Sequence, residues 1–361
     1  MQLGRGAVGA SAGQPARKKK VKWFTTFGAV AICEQLLRLS RRGVQLRPFC
    51  LAAGVRPQGY SRPLQRVLAD FGAEASFQAA TLRGKEHYGV LVPISALRAQ
   101  TLRHGRAITT LADPQKAKAA AQLITEMDGS LIPVMTPGGG ADRRKGKTLF
   151  WREVKLCCAR PAGSVQTRYG ATLGNATTAG WLWQEVARSA GLSPQTRVHG
   201  LGDGARWISD QFTSLFGEQG TYLVDFYHTS GYLAAAQTQV CPGQAKPWLH
   251  RQQERLLNNQ LNKVLRTLRP HLEAEATQAT PVRAAYRYLS ERADHLDYQA
   301  ARQKNLPIGS GEIESGHRHV VQPRLKLSGC WWKEPNAGAM LNLRVARANE
   351  LWSTYWSPAH N

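Results

Sequence analysis

The sequence predicts an α/β protein: a mixed sheet flanked by helices, preceded by a helical region and interrupted by a long helical segment. Strand-like apolar runs replace helical periodicity from about residue 123. These runs follow the order strand, strand, strand, helix, strand, helix, strand. Residues 231–304 show no strand pattern and are rich in Arg, Gln and Glu. Together these three observations define the fold class.

The chain is strongly basic. It has 361 residues and a formal net charge of +24, and residues 1–110 hold 18 Lys and Arg against 4 Asp and Glu. Such a surplus favours a polyanionic partner, most often nucleic acid, and a basic composition inherited from a GC-rich genome is the alternative. The six cysteines show no Cys-x-x-Cys spacing, and no apolar run is long enough to span a membrane. We therefore expect a cytoplasmic protein without a membrane partner.

The N-terminal part of the chain is predicted in two pieces. Residues 1–20 are expected to be a disordered basic leader, whose Lys18, Lys19 and Lys20 would touch DNA or remain solvated. Residues 21–112 are expected to form a DNA-binding region that begins with a strand pair over 21–32.

Three helices are predicted in this region, the last over residues 95–109 and carrying Arg98, Arg103 and Arg106. Their lengths and the tight link before the third helix resemble a helix-turn-helix with 95–109 as the recognition helix. A plain basic helical bundle is the alternative.

The catalytic core is predicted to begin in residues 113–230. The first strand, 123–134, carries Asp128 in its middle, the fourth, 196–202, delivers Asp203 at its end, and the fifth, 221–224, delivers Asp225. The element order is that of a ribonuclease-H-like domain. In that order the first strand runs through the sheet centre with the fourth beside it, so Asp128 and Asp203 would be neighbours.

The core is predicted to resume over residues 305–361, after an α-helical insertion at 231–304. A Gly-Ser-Gly loop precedes a helix for which Ser310 is the expected N-cap. Glu312 and Glu314 lie roughly 200° apart on that helix, so one of them can face inward. Glu314 is the predicted one, because it shares its face with Arg318, which is placed to meet a phosphate. The alternative is a capped surface helix whose acids lie at the positive end of the helix dipole.

Asp128, Asp203 and Glu314 are the predicted catalytic and metal-binding residues. A bare cluster of three carboxylates is unfavourable because like charges raise one another's pKa. Two Mg²⁺ ions, with Mn²⁺ as an expected substitute, would relieve the repulsion and support an in-line displacement at phosphorus.

The motifs around these acids resemble those of DDE transposases of bacterial insertion sequences, with the Mutator-like, ISKra-type group as the nearest likeness. The resemblance is carried by Asp128-Gly129, by residues 202–208, 225–228 and 309–315, and by the tail from Arg324 to Trp332 and from Asn342 to Trp356. It implies DNA cleavage at terminal inverted repeats and joining to target DNA in a bacterial, nucleoid-associated protein. Transposases usually act as dimers or larger, so a homo-oligomer is expected. Similar proteins often begin with a Cys-rich segment, which this chain lacks, so an N-terminally shortened chain is expected.

Several assignments stay open at this point. Asp225 is the alternative second acid, although similar transposases carry an Asp-x-x-His element here, so Asp225 and His228 are predicted as an accessory pair. A structural role for His228 is the alternative. Arg318, Arg324 and Lys326 are expected to contact DNA. The rival functions are a ribonuclease-H-like nuclease or resolvase, and a truncated or domesticated derivative that binds DNA without activity.

Overall fold

The computed structural model describes residues 14–38, 45–53, 59–111, 117–139 and 146–357. The chain divides into two compact units, Met1–His104 and Gly105–Asn361. The boundary comes a little earlier than residue 112, where the sequence places it. Residues 1–13 of the predicted leader and much of the Gly-rich basic turn at 138–147 lie outside the described residues.

The first unit begins with an antiparallel hairpin. Strand β1 (Gln14–Thr25) pairs with β2 (Gly28–Arg38), and the short β3 (Gln45–Leu46) pairs with β2. The lysines at 18–20 therefore lie in a strand, which corrects the predicted disordered leader over that stretch. Pairing with β2 satisfies their backbone groups while their side chains stay exposed.

Helices make up the rest of the first unit: α1 (Pro48–Ala52), α2 (Arg62–Glu74), α3 (Phe77–Tyr88) and α4 (Ile94–Ala107), the last of which runs past the boundary. Ser61 caps α2 by accepting a hydrogen bond from Leu64 N. Leu64, Leu68 and Leu97 pack in one buried cluster between α2 and α4. DNA recognition by α4 stays a prediction.

The second unit is built on a five-stranded mixed sheet in the order β6-β5-β4-β7-β8. Its strands are β4 (Gln122–Thr136), β5 (Thr148–Pro161), β6 (Arg168–Thr172), β7 (Arg197–Gly202) and β8 (Gly220–Val224). β4, β5 and β6 pair antiparallel, whereas β4, β7 and β8 pair parallel. The first strand is central with the fourth beside it, which is consistent with the predicted ribonuclease-H-like fold.

Neighbouring residues of β4 face different helical layers, as strand geometry requires. Thr125 accepts a hydrogen bond from Trp183 Nε1 on α5 (Ala176–Ser189). Trp183 in turn packs against Phe212 and Phe216 of α6 (Arg206–Phe216), and this is the centre of the core.

Residues 226–303 form a helical stretch between β8 and the C-terminal helices, and within 231–304 the structure describes no strand. Its helices are α7 (Phe226–Val240), α8 (Ala245–Leu257), α9 (Leu261–Leu268), α10 (Pro281–Glu291) and α11 (Tyr298–Gln303). Tyr288, Leu289 and Tyr298 are buried in the same cluster as residues of β7 and β8. The helical stretch therefore shares the core of the sheet.

The C-terminal part consists of α12 (Gly311–Gly316), a π-helix over His317–Val321, α13 (Gln322–Leu325), α14 (Glu334–Ala348) and α15 (Trp352–Tyr355). Helical conformation continues through Pro323, which stands in the first turn of α13 directly after the π-helix. Helices α14 and α15 are separated at Glu350, whose φ is +60°. In the described part of the chain, no helix has both the length and the apolar character to cross a membrane.

Candidate functional site

A cavity of about 650 Å³ lies in the second unit beside β4, β7 and α12. Four carboxylates line it, namely Asp128, Asp203, Asp225 and Glu314. The structure thus brings the three predicted catalytic acids and the contested fourth acid to one place. The remaining lining residues are aromatic, small or apolar: Tyr227, His228, Gly231, Tyr232, Ala235, Ser310 and Ile313.

Asp128 lies on β4, two residues beyond the last pair that β4 makes with β7. Its Oδ2 lies 3.1 Å from Nε2 of His317, the first residue of the π-helix. His317 is buried, whereas the Asp128 side chain is about one-third exposed to the cavity. π-helical turns of this kind are frequent at functional sites. His317 is therefore a direct neighbour of a site carboxylate.

Asp203 sits in the turn after β7. Its Oδ1 accepts a hydrogen bond from Ala205 N at 2.8 Å. The turn is held from α10, because Tyr288 Oη donates to the Asp203 carbonyl at 2.6 Å and Arg292 Nε donates to the Gly204 carbonyl at 2.7 Å. Gly204 has φ +79°, and a Cβ there would stand 2.7 Å from Arg292 Nε. A glycine is therefore required for this turn to approach α10.

Asp225 is buried at 4% exposure and is the N-cap of α7. Its Oδ1 accepts from His228 N at 2.6 Å, and its Oδ2 accepts from Ser310 N at 2.5 Å and from Ser310 Oγ at 2.7 Å. Three donors thus occupy both carboxylate oxygens. Ser310 stands at the N-cap position of α12, but its side chain makes no capping hydrogen bond because it donates to Asp225.

His228 meets Asp225 through its backbone N–H. Its ring packs against the rings of Tyr232 and Tyr288, with centroid distances of 5.6 Å and 5.7 Å. The predicted Asp225/His228 pair is therefore close in space, but the contact seen is a helix cap, and the ring belongs to an aromatic group beside the cavity.

The two glutamates of α12 have different surroundings. Glu314 is exposed and lines the cavity. Glu312 Oε1 accepts hydrogen bonds from Thr167 Oγ1 at 2.9 Å and from Tyr169 Oη at 3.1 Å. Its Oε2 lies 3.5 Å from Arg160 Nε. Glu312 therefore joins α12 to β5 and β6, and Glu314 is left facing the cavity.

Glu126 is a site-supporting residue that the sequence analysis missed. It lies two residues before Asp128 on the same face of β4 and is 2% exposed. Its Oε2 accepts a hydrogen bond from Ile313 N at 2.8 Å. Burial raises the pKa of this carboxyl to about 8. The available signal was an acid inside an otherwise apolar strand.

The predicted DNA-binding side chains have varied surroundings. Those at 18–20, Arg98, Arg318 and Lys326 are exposed. Arg103 is exposed but donates to Gln65 and Gln100 within the first unit. Within the second unit, Arg106 donates to Asn336 Oδ1 at 2.9 Å.

Arg324, which was expected to contact DNA, is buried instead. It is 1% exposed, and its guanidinium lies 5.3 Å from the ring centroid of Trp332. Its charge is sequestered in a cation–π contact, so in this structure its side chain is out of reach of DNA.

The donor set at the cavity suits a hard cation, since carboxylate oxygens are the ligands that Mg²⁺ prefers. Within the described residues, however, no three His, Cys, Asp or Glu side chains stand close enough together to hold a metal ion. The residue types fit the ion, and their positions do not form a closed metal site.

No known family model matches the chain, and no curated protein matches it. Among solved structures, it is similar to the Drosophila P element transposase strand transfer complex, with a TM-score of 0.31 and 10% identity. The similarity covers 86% of this chain and 84% of that chain. At this identity and score it does not establish a function.

Proposed function

We propose that the protein is a DDE-type transposase that cleaves DNA at the ends of its element and joins the freed 3′ ends to target DNA. One observation carries the proposal: Asp128, Asp203 and Glu314, far apart in sequence, line a single cavity. The strand order of the sheet and the net charge of +24 support it. The motif resemblance described above supports the same activity.

The proposal includes two Mg²⁺ ions, held by Asp128, Asp203 and Glu314, with Mn²⁺ able to replace them. When bound, such ions activate an attacking oxygen and stabilise a leaving oxygen at phosphorus. Because the acids do not form a closed site in the structure, they would have to draw together on binding.

The surrounding residues have distinct parts in this proposal. Asp225 and Glu126 accept backbone N–H groups of Ser310 and Ile313, and so fix the start of the helix that carries Glu314. Arg318, exposed one turn after Glu314, would meet the phosphate that is being cut. Positioning of this kind matters because small displacements of a catalytic group lower the rate steeply.

The DNA partners would be the terminal inverted repeats and the target duplex. In the first unit, Arg98 and Arg103 on α4 would read base edges, and the exposed lysines at 18–20 would contact phosphates. Two ends must be brought together for joining, so we include a homo-oligomer in the active complex.

The test is a set of carboxylate variants assayed on an oligonucleotide that bears the terminal repeat, identified from inverted repeats flanking the coding region. Asp128→Asn and Asp203→Asn should abolish Mg²⁺-dependent cleavage while DNA binding persists, because Asn keeps the shape of the side chain but not its charge. Asp225→Asn is the comparison. Full activity of Asp203→Asn beside an inactive, normally stable Asp225→Asn would reverse the assignment.

The products distinguish the rival functions. Cleavage without joining to a target duplex would indicate a nuclease or resolvase. DNA binding without Mg²⁺-dependent cleavage in the unmodified protein would indicate a derivative that only binds DNA, and the proposal would then fail.

A further inference from the structure

The hairpin of β4 and β5 extends past the rest of the sheet. β4 pairs with β7 only up to Glu126, whereas its pairing with β5 continues to Thr136. One face of this extension is buried, with Ile132, Val134 and Val154 each at 0% exposure. On the other face Leu131 and Trp151 are exposed to solvent, whereas Pro133 is buried.

The exposed part of this face carries apolar and aromatic side chains, with Glu153 directly across from Leu131 in the register. Leu131 is 54% exposed and Trp151 is 61% exposed, and Pro133 stands directly across from Trp151 in the register. Trp331, 39% exposed, approaches from the segment after α13, and its ring centroid lies 6.2 Å from that of Trp151 at an angle of 54°. Both tryptophans line a groove of about 580 Å³, together with residues 326–330 of the segment after α13. We call it the tryptophan groove.

The position of Trp331 is fixed by backbone hydrogen bonds. Its neighbour Trp332 donates N–H to the Pro133 carbonyl at 3.2 Å and accepts from Met135 N at 2.8 Å. The buried guanidinium of Arg324 packs against the Trp332 ring. Trp331 is therefore held at the edge of the hairpin in a set orientation, so an aromatic ligand would meet a preorganised surface.

The charge of the tryptophan groove points to the class of ligand. Its lining contains one cation, Lys326, and no acid, the other members being Leu131, Pro133, Trp151, Leu327, Ser328, Gly329, Cys330 and Trp331. Flat aromatic faces beside a cation suit a nucleobase joined to a phosphate, because bases stack on aromatic rings regardless of sequence. The groove volume is within the roughly 300–1,000 Å³ range of small-ligand sites, which is enough for a nucleoside.

The groove also lies close to the acid cavity along the chain. Leu131 and Pro133 are three and five residues beyond Asp128 on the same strand, which corresponds to about 10 and 17 Å at 3.3 Å per residue. Residues an odd number of positions apart lie on opposite faces of a strand, so Leu131 and Pro133 face away from the side of β4 that carries Asp128.

We propose that the tryptophan groove binds unpaired bases of single-stranded DNA, by stacking on Trp151 and Trp331 with Lys326 at the phosphate. The proposal rests on the proposed function, because it assigns the groove to a strand that is freed or frayed near the cut. The alternative occupant is a second copy of the chain, which would also cover an exposed apolar face.

The experiment measures binding of the full-length protein to three probes in EDTA, so that no cleavage occurs. The probes are a blunt duplex, the same duplex with a six-nucleotide 3′ overhang, and the overhang duplex with abasic sites in place of the bases. Trp151→Ala and Trp331→Ala should each raise the Kd for the overhang duplex about 5- to 150-fold, the usual range for loss of one stacked base. The Kd values for the blunt and abasic probes should not change.

Trp181→Ala is the matched control, because Trp181 is 67% exposed on α5 and does not line the groove. Trp331→Phe should restore much of the overhang affinity, since Phe also stacks. Equal binding of the overhang duplex by Trp151→Ala, Trp331→Ala and the unmodified protein would overturn the proposal. So would loss of self-association in the two Ala variants, by sedimentation, without a change in overhang binding. Neither readout depends on cleavage, so failure of the proposed activity would be seen separately.

Discussion

The different surroundings of Glu312 and Glu314 allow a paired substitution. Glu314→Gln removes a charge from an exposed side chain, and surface substitutions of this kind change the free energy of unfolding by less than about 0.5 kcal/mol. It should nevertheless lower strand transfer by several orders of magnitude, because the variant can no longer supply a carboxylate to the cavity.

Glu312→Gln should show the opposite behaviour. It weakens hydrogen bonds from Thr167 and Tyr169 and removes the ion pair with Arg160. The half-buried ion pair adds little, and loss of the charge on the two hydrogen bonds should cost about 1–2 kcal/mol. The sequence alone predicts at most about 1 kcal/mol from the helix dipole, so these contacts raise the expected cost.

Urea unfolding would measure stability, and Mg²⁺-dependent cleavage and joining of a terminal-repeat oligonucleotide would measure activity. Glu312→Gln should remain active below its unfolding transition. An inactive Glu312→Gln of normal stability, beside an active Glu314→Gln, would refute the assignment and place Glu312 in the site.

Two further substitutions test the supports of the cavity, and a third tests a buried histidine of the first unit. Gly204→Ala should destabilise the protein more than Gly163→Ala in urea unfolding. Both glycines have φ near +80°, but only at Gly204 would a Cβ meet the side chains of Arg292 and Tyr288. Equal losses of stability would contradict the packing of this turn against α10. Glu126→Ala leaves the Ile313 N–H buried without its acceptor and should lower the free energy of unfolding by at least about 1–3 kcal/mol. Glu126→Gln retains an acceptor and should be more stable. Similar melting temperatures of the two variants would contradict this role of Glu126. Burial lowers the pKa of His104 from 6.5 to about 4, so between these pH values the unfolded chain binds a proton that the folded chain does not. Stability should therefore fall by up to about 3 kcal/mol as the pH falls from 6.5 to 4, at 1.36 kcal/mol per pH unit, and an equally steep fall in His104→Gln would contradict this.

The sheet and its acids were predictable because they depend on local patterns. Apolar runs of strand length give the order of elements, and the ribonuclease-H-like arrangement that shares this order puts the first strand beside the fourth. Asp128 and Asp203 reach one cavity for this reason. The side of α12 that faces the cavity followed from helix geometry, since two residues two apart cannot share a face.

Contacts between distant parts of the chain could not be predicted in this way. The Ser310 side chain reads as a helix cap, but it donates to Asp225, 85 residues earlier. Arg324 reads as a basic residue for DNA, yet it is buried against Trp332. Glu126 looks like an ordinary strand residue until its acceptor role toward Ile313 is seen. In each case the partner is set by tertiary packing.

The lysine-rich stretch at 18–20 forms a strand, although its sequence predicts disorder. A run of lysines has low strand propensity and a high charge, both typical of a disordered segment. Its backbone nevertheless pairs with β2, because the hairpin that begins at Thr25 and Gly28 continues outward through these residues. The charges stay in solvent on both sides of the ribbon, so pairing does not bury them.

The choice between Asp203 and Asp225 depends on which carboxylate has acceptor capacity left. Each follows a parallel strand, so sequence position cannot separate them. Asp225 is buried, and three hydrogen bonds of 2.5–2.7 Å already use three of the roughly four acceptor positions of its carboxylate, so little capacity is left for a cation. Asp203 Oδ1 accepts one N–H, and the side chain is partly exposed to the cavity.

The bonds of Asp225 also explain why an acid is required there. It caps α7 at the start of the helical stretch and holds Ser310 at its end, where Phe226 N also donates to the Ile308 carbonyl at 2.9 Å. These contacts bring the two ends of the helical stretch, some eighty residues long, together at one point beside the sheet. Because Glu314 lies four residues beyond Ser310, the same closure sets its distance from Asp128 and Asp203. On this reasoning we propose Asp203 as the acid that acts in the cavity and Asp225 as the acid that positions Glu314.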